Sequence, residues 1–282
     1  MATCVPDAEL RAAAALVFVE DLDSVDLCED DAHHLGEVLR LKAGEAVAAA
    51  DGAGSWRTCA FTSLVAPPRG PTGGRAVKAG RFRLEIAGPI HVMQRPLPRL
   101  EVGFSWAKTE RTEWAVAKLV ELGLDLLTPL VADRTVVRPD RAAAVRREGR
   151  LRRIAREAAM QSRRPFLPGI GTSQTLDEVL GRSPVSEIAL AEPGGGPISL
   201  ATPVVLVGPE GGWSERELAL VGNKVSLGDG ILRIETAAVV AGALLTAMRS
   251  RTLVPPSLGV TTGGRGPDEE AFLQDAAITS NT

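Results

Sequence analysis

Cysteine and histidine are scarce in this 282-residue chain, with three of each: Cys4, Cys28 and Cys59, and His33, His34 and His91. The odd number of cysteines, none paired as C-x-x-C, fits neither a disulfide framework nor a zinc site. With so few histidines, a metal-centred mechanism is not expected, and the compartment reads as reducing, hence cytoplasmic. No apolar run approaches the roughly 20 residues that span a bilayer. The opening MATCVPDAELRAAAALVFVEDLD sets acids before its short apolar run and lacks the basic stretch of a signal peptide. Two nucleotide signatures are missing as well. No glycine loop ends in the Lys-Ser/Thr that cradles a triphosphate, and none follows the dinucleotide pattern G-x-G-x-x-G.

What is present is an ordinary globular composition, 45% apolar and 24% charged, at a length that suggests about two domains. The charge is unevenly placed. Between Arg134 and Arg164 eleven arginines stand against Asp140, Glu148 and Glu157, so this stretch carries +8 and the remainder −11 of a net −3. Such a patch can bind phosphate locally, and equally it can be the solvated face of a helix.

Residues 16–62 predict short strands and turns, with turn chemistry at Asp51-Gly52 and Ala53-Gly54. One short helix is expected within DDAHHLGEVLRLKAG, ending near Gly44, with His33 and His34 at its start. This is a small β-rich domain of barrel type. Residues 66–80 are dense in Pro, Gly and basic residues and read as a loop or hairpin tip. The first domain is expected over residues 1–96, the second over 97–255, and a flexible acidic tail over 256–282. From Leu100 strands alternate with helices. TERTEWAVAKLVELG predicts a helix stopped by Gly123, and LLTPLVADRTVV a strand. DRAAAVRREGRLRRIAREAAMQS predicts a long helix capped by Asp140. Continuous apolar strands between helices mean an α/β fold with a parallel sheet covered on both faces. Trp106, Trp114 and Trp213 are expected in the core or at an interface.

Two segments have the pattern of a ligand site. In VVLVGPEGGWSERE (204–217) an apolar strand runs into glycines, and Ser214 and Glu217 form the S-x-x-E box that starts a helix. In KVSLGDGILRIETAAVVAGALL (224–245) a second strand meets Gly228 and Gly230, and a helix follows with Thr236 as the expected N-cap. Glycines let a ligand approach the backbone, whose free N–H groups at a strand end or helix start are donors. Each loop alone can be an ordinary turn. Two in succession are more telling, because ligands of open α/β sheets bind at the carboxyl ends of strands.

GPEGGWSERE followed by SLGDGILRIETAA resembles the signature of the RsmE-type uridine-N3 methyltransferases of small-subunit (16S) ribosomal RNA, a branch of the SPOUT methyltransferases. KTERTEWAVAKLVELGLDLLTPLVADRTVVR (108–138), IAREAAMQSRR (154–164) and HHLGEVLRLKAGE (33–45) carry the same resemblance, in order, over residues 17–247. It implies a trefoil-knotted α/β domain, a PUA-like RNA-binding β-barrel at the N-terminus, and a homodimer. It also implies S-adenosyl-L-methionine as cofactor. The pocket it implies is lined by Leu206, Val207, Gly208, Glu210 and Gly211 in one loop and by Leu227, Gly228, Ile231, Leu232 and Arg233 in the other. Leu190 and Glu192 end the strand before. The chain departs from the family at Asp229-Gly230, where Pro-Arg is more usual, and at Ile234, where Thr is.

Uridine N3 is protonated at neutral pH and a poor nucleophile until the proton leaves. A cation near the uracil oxygens would stabilise the developing anion, a role that falls to Arg233. Glu235 is the candidate base, or the partner that orients Arg233. RNA is expected on Arg40 and Lys42 of the small domain and on Gln161, Arg163 and Arg164. The alternatives are a non-catalytic RNA-binding assembly factor, a methyltransferase for another RNA atom, and a nucleotide-dependent enzyme that the missing phosphate loop disfavours.

Overall fold

The computed structural model describes residues 8–63 and 82–253, so the expected loop at 66–80 and the expected tail lie outside the described residues. The N-terminal part contains α1 (Ala8–Ala12), β1 (Ala15–Phe18), α2 (Glu29–His33), β2 (Ala46–Ala50), β3 (Ser55–Ser63), β4 (Phe82–Ile86) and β5 (His91–Val92). The strands form one sheet in the order β1-β2-β3-β4, with β5 also on β3. Alternation sends Val17, Val47, Cys59 and Phe61 to one buried face, and Leu16, Ala48 and Trp56 to the other, under Leu10 of α1. At the β2–β3 turn Asp51 Oδ1 accepts from the backbone N–H of Ala53, Gly54 and Ser55. The turn chemistry seen in the sequence is thus a side chain closing its own bend.

The single helix expected up to Gly44 is shorter. α2 passes into one π-helical turn, His34–Val38, and the chain leaves it at Arg40 with φ of 54°. His33 and His34 therefore stand at the end of α2, not its start. Within that turn the ring of Phe82 lies on Gly36 so closely that a Cβ there would be 2.2 Å from it.

The second part contains β6 (Glu101–Ser105), α3 (Thr109–Leu122), β7 (Leu126–Leu130), α4 (Arg141–Gln161), β8 (Gly169–Ile170) and α5 (Leu176–Arg182). It continues with β9 (Ile188–Gly196), β10 (Val204–Val207), α6 (Glu215–Leu220), β11 (Lys224–Val225) and α7 (Ile234–Arg249). Its six strands run β11-β9-β10-β6-β7-β8 with every neighbouring pair parallel. Every residue of β6 and β10 is buried, as expected of strands covered on both faces. Leu119, Leu151, Ala238 and Leu245 from α3, α4 and α7 pack on one face. Leu176, Val179 and Leu218 from α5 and α6 pack on the other.

Local signals placed several ends well. Gly123 closes α3 with φ of 101°, and Asp140 Oδ1 caps α4 by accepting from Ala143 N at 2.7 Å. Others moved. β7 stops at Leu130, because residues 131–138 fold into a loop clasped by the Arg138 guanidinium on the carbonyls of Ala132, Asp133 and Thr135. α7 begins at Ile234 with Arg233 at its N-cap, so Thr236 lies inside the first turn.

Arginines join the two parts. Arg156 of α4 grips Asp31 in two-pronged fashion at 2.9 and 2.7 Å and also reaches Phe18 O. Arg163 donates to the carbonyls of Ala13, Ala14 and Met160. At the junction Asp125 accepts from Arg95, Arg249 and Leu100 N.

Candidate active site

The carboxyl edge of the second sheet opens into a cavity of about 290 Å³. Three strands wall it: Ala191, Glu192 and Pro193 within β9, Val207 at the end of β10 with Gly208 to Glu210 after it, and Ser226 to Gly228 after β11. The start of α7, with Arg233, Ile234 and Ala237, forms a fourth wall. The β10 loop owes its shape to the capping box of α6. Ser214 Oγ accepts from Glu217 N at 3.2 Å while Glu217 Oε2 accepts from Ser214 N at 2.8 Å. Glu217 Oε1 then takes Asp133 N at 2.9 Å, which ties the β7–α4 loop to the same point. Trp213, buried to 4% exposure, lies against Gly208 and donates from Nε1 to Ala191 O at 3.1 Å. It thereby bridges the β9 and β10 walls.

The two glycine bends, successive in sequence at 206–212 and 227–234, therefore share one cavity. Glu192, Val207, Gly208, Glu210, Leu227, Gly228, Ile231, Leu232 and Arg233 all line it. Leu190 and Leu206 do not: both are fully buried within their strands, beneath the cavity. Gly211 also stays outside the lining and faces Arg134 instead, whose Nη1 donates to Gly211 O at 3.0 Å. Sequence reasoning missed Trp213 and Ile234 as wall residues. The helical spacing of Ile234 and Ala237 was the available signal, since it turns both to one side of α7.

The walls are mostly apolar and carry three charged residues, Glu192, Glu210 and Arg233. Arg233 is exposed and, among the described residues, has no acidic partner. Of the two roles expected of Glu235, base or partner of Arg233, the pairing is not present among the described residues. Glu235 turns away from the cavity toward α3, where its Oε1 lies 3.5 Å from Arg111 Nε. Its Oε2 is buried without a hydrogen-bond partner among the described residues. Glu235 thus braces two helices and is not among the residues that line the cavity.

The arginine-rich segment divides its work. Arg138, Arg156 and Arg163 are spent on internal acceptors, and Arg150 pairs with Glu113. Burial holds the Arg163 guanidinium below its usual pKa. Arg164 covers Gly123, where a Cβ would lie 2.2 Å from its Nη1. Arg40, Lys42 and Gln161 are exposed. Trp106 is buried and carries Arg147 over its ring, whereas Trp114 is 49% exposed on α3. Among the described residues no cluster of three or more His, Cys, Asp or Glu is arranged to hold a metal ion, and no helix is long and apolar enough to cross a membrane.

A parallel α/β domain that gathers two glycine bends into one cavity at its carboxyl edge, beside a small β domain, defines a two-part enzyme class with a small-ligand site. The family described as RNA methyltransferase domain matches residues 94–246, and that described as RNA methyltransferase PUA domain matches 27–64. The chain belongs to this RNA methyltransferase family, with the SPOUT-type fold and an N-terminal PUA-like domain. It is 29% identical over 241 residues to the ribosomal RNA small subunit methyltransferase E of Synechocystis, covering 80% of this chain and 73% of that one. Identity to the protein of the same name from Mycobacterium bovis is 29% over 245 residues, 79% of this chain and 86% of that one. The crystal structure of a probable rRNA-methyltransferase from Porphyromonas gingivalis has a TM-score of 0.67 at 26% identity, covering 85% of this chain and all (100%) of the other. The ribosomal RNA small subunit methyltransferase E of Neisseria gonorrhoeae, bound to S-adenosyl methionine, has a TM-score of 0.65 at 26% identity, with 83% and 97% covered.

Proposed function

We propose that this protein methylates N3 of a uridine in small-subunit (16S) ribosomal RNA, using S-adenosyl-L-methionine bound in the cavity between the two glycine bends. The observation that carries this reading is the meeting of residues 207–213 and 226–234 in one space with apolar walls. The residues suit the cofactor. Cβ atoms placed on Gly228 and Gly230 would have no neighbour within 4 Å, so the walls leave room for a ligand against the backbone. Val207, Leu227 and Leu232 offer surface to a flat apolar ring, and Glu192 and Glu210 offer charge to a cationic ligand. The bound cofactor would supply an electrophilic methyl group.

The chain's own contribution is alignment and charge. Holding the uracil ring in line at the cavity mouth supplies much of the rate by positioning. Arg233, at the N-cap of α7 and without an acidic partner among the described residues, is the cation that stabilises negative charge on the uracil oxygens as N3 releases its proton to water. Positive charge from the first turn of α7 adds to it. Glu235 acts at one remove: on Arg111 it fixes the start of α7, and with it Arg233.

RNA is held by Arg40, Lys42 and Gln161, while Arg163 and Arg164 keep the two domains and the end of α4 in register. The protein works as a cytoplasmic homodimer. Ile231, 96% exposed beside the cavity, is an apolar side chain that a second copy would cover. The test is mass mapping of small-subunit ribosomal RNA after incubation with the purified protein and cofactor. A methyl group on N3 of one uridine is the expected product. Absence of cofactor binding by calorimetry, with RNA binding intact, would leave a non-catalytic RNA-binding protein.

A further inference from the structure

The loop between β7 and α4 is locked to the wall of the cavity. Asp133 Oδ2 accepts from Ser214 Oγ at 2.6 Å, Asp133 pairs with Arg216, and Arg138 ties the loop's own carbonyls together. Two exposed cations stand on this platform; Arg138 is committed to the loop's carbonyls, and Arg134 projects from it. Its Nη1 donates to Gly211 O at 3.0 Å, between Glu210 and Gly212, both of which line the cavity. A guanidinium has five N–H donors in a fixed fork, so most of this one is unused. The charge of neighbouring Asp133 is already taken by Arg216, and those hydrogen bonds hold its carboxyl below the usual carboxylate range. Arg134 therefore has no ion-pair partner among the described residues at the lip of the site. Along α4, which begins seven residues later, Arg141, Arg146 and Arg153 are exposed and have no acidic partner among the described residues. Arg146 and Arg153 lie two helical turns apart on one face, a rise of about 10.5 Å.

We propose that Arg134 anchors a phosphate of the RNA strand at the lip of the cavity, and that Arg141, Arg146 and Arg153 carry the same strand away along α4. The proposal rests on the RNA-methylation reading above and adds the path of the substrate. A planar fork held in one orientation by Gly211 suits a phosphate in two-pronged contact. Contacts of this kind set where the strand lies and leave base choice to the cavity.

The test compares the wild-type protein, Arg134→Ala, Arg134→Lys and Arg216→Ala. Binding of a small-subunit ribosomal RNA transcript is measured across a salt series, with cofactor affinity by calorimetry and the Michaelis constant for RNA alongside. Arg134→Ala is expected to weaken RNA binding about tenfold at low salt. It should also lower the slope of log K against log salt by about one. The Michaelis constant for RNA rises and cofactor affinity holds; Arg134→Lys restores the slope. Arg216→Ala removes a brace without removing a free cation, so it lowers thermal stability and keeps the slope. The proposal is overturned if Arg134→Ala retains the wild-type slope, or if cofactor affinity falls while RNA binding is unchanged, since Arg134 is then only a strut for Gly211. A reduced slope in a protein that transfers no methyl group would sustain the phosphate anchor and refute the methylation reading by itself.

Discussion

Gly208→Ala probes the cavity wall at its tightest point. A Cβ on residue 208 would lie 2.9 Å from Trp213 Cε2 and 3.1 Å from its Nε1. Real Cβ contacts are essentially never that short, so the indole must move by several tenths of an ångström. Trp213 has little room to do so: it is 4% exposed, packs among Leu206, Val221 and Ile188, and is pinned by the bond to Ala191 O. Overpacking of this kind costs about 1–3 kcal/mol. In a domain of this size that corresponds to a fall in melting temperature of about 2–12 °C. Because Trp213 joins the β9 wall to the β10 wall, part of the same strain appears as lost affinity, with each 1.4 kcal/mol worth about tenfold. Differential scanning fluorimetry with and without S-adenosylmethionine, and calorimetry for its affinity, read both parts. A variant with wild-type melting temperature and wild-type affinity would refute the argument that Trp213 is a rigid wall of the ligand site.

Three further outcomes follow from other parts of the molecule. Arg233→Ala is expected to lower methyl transfer to RNA with cofactor affinity retained; unchanged turnover at saturating substrate would remove Arg233 from the chemistry. Arg156→Ala leaves Asp31, 4% exposed, without its partner across the two domains, at a cost of about 3 kcal/mol by denaturant unfolding, because Arg156 is itself a third exposed. A loss below about 1 kcal/mol would show that the clamp contributes little. Asp133 has a folded-state pKa lowered by Arg216 and then Ser214. Its contribution is therefore complete above the ordinary aspartate value of about 3.9 and is lost as pH falls through the lowered one. The melting-temperature gap between wild type and Asp133→Asn should be constant above pH 5 or so and close in stronger acid; a gap that widens on acidification contradicts this sign.

Much of the site was legible because its signals are local. A capping box, a left-handed glycine and an Asp cap act within four residues, so SERE, Gly123 and Asp140 reported helix ends directly. Apolar strands ending in glycine reported where a ligand comes close to the backbone. The arginines were not legible in the same way. A guanidinium on a long stem reaches carbonyls 149 residues away as readily as solvent, as Arg163 does at Ala14 O. Counting eleven of them could not say which were spent. The same holds for Glu235, whose neighbour in sequence is Arg233 but whose partner in space is Arg111.

By itself, the amino-acid order determined the alternation of strands and helices, the two glycine bends and the capping box that starts α6 beside the first of them. These follow from backbone preferences and hydrogen bonds within a turn. Only the tertiary structure decided that both bends open into one cavity with Trp213 between its walls, that β1 and β2 run parallel, and which cations remain free at the surface. Those outcomes depend on where distant segments meet, and long side chains choose among acceptors only after packing has brought them within reach.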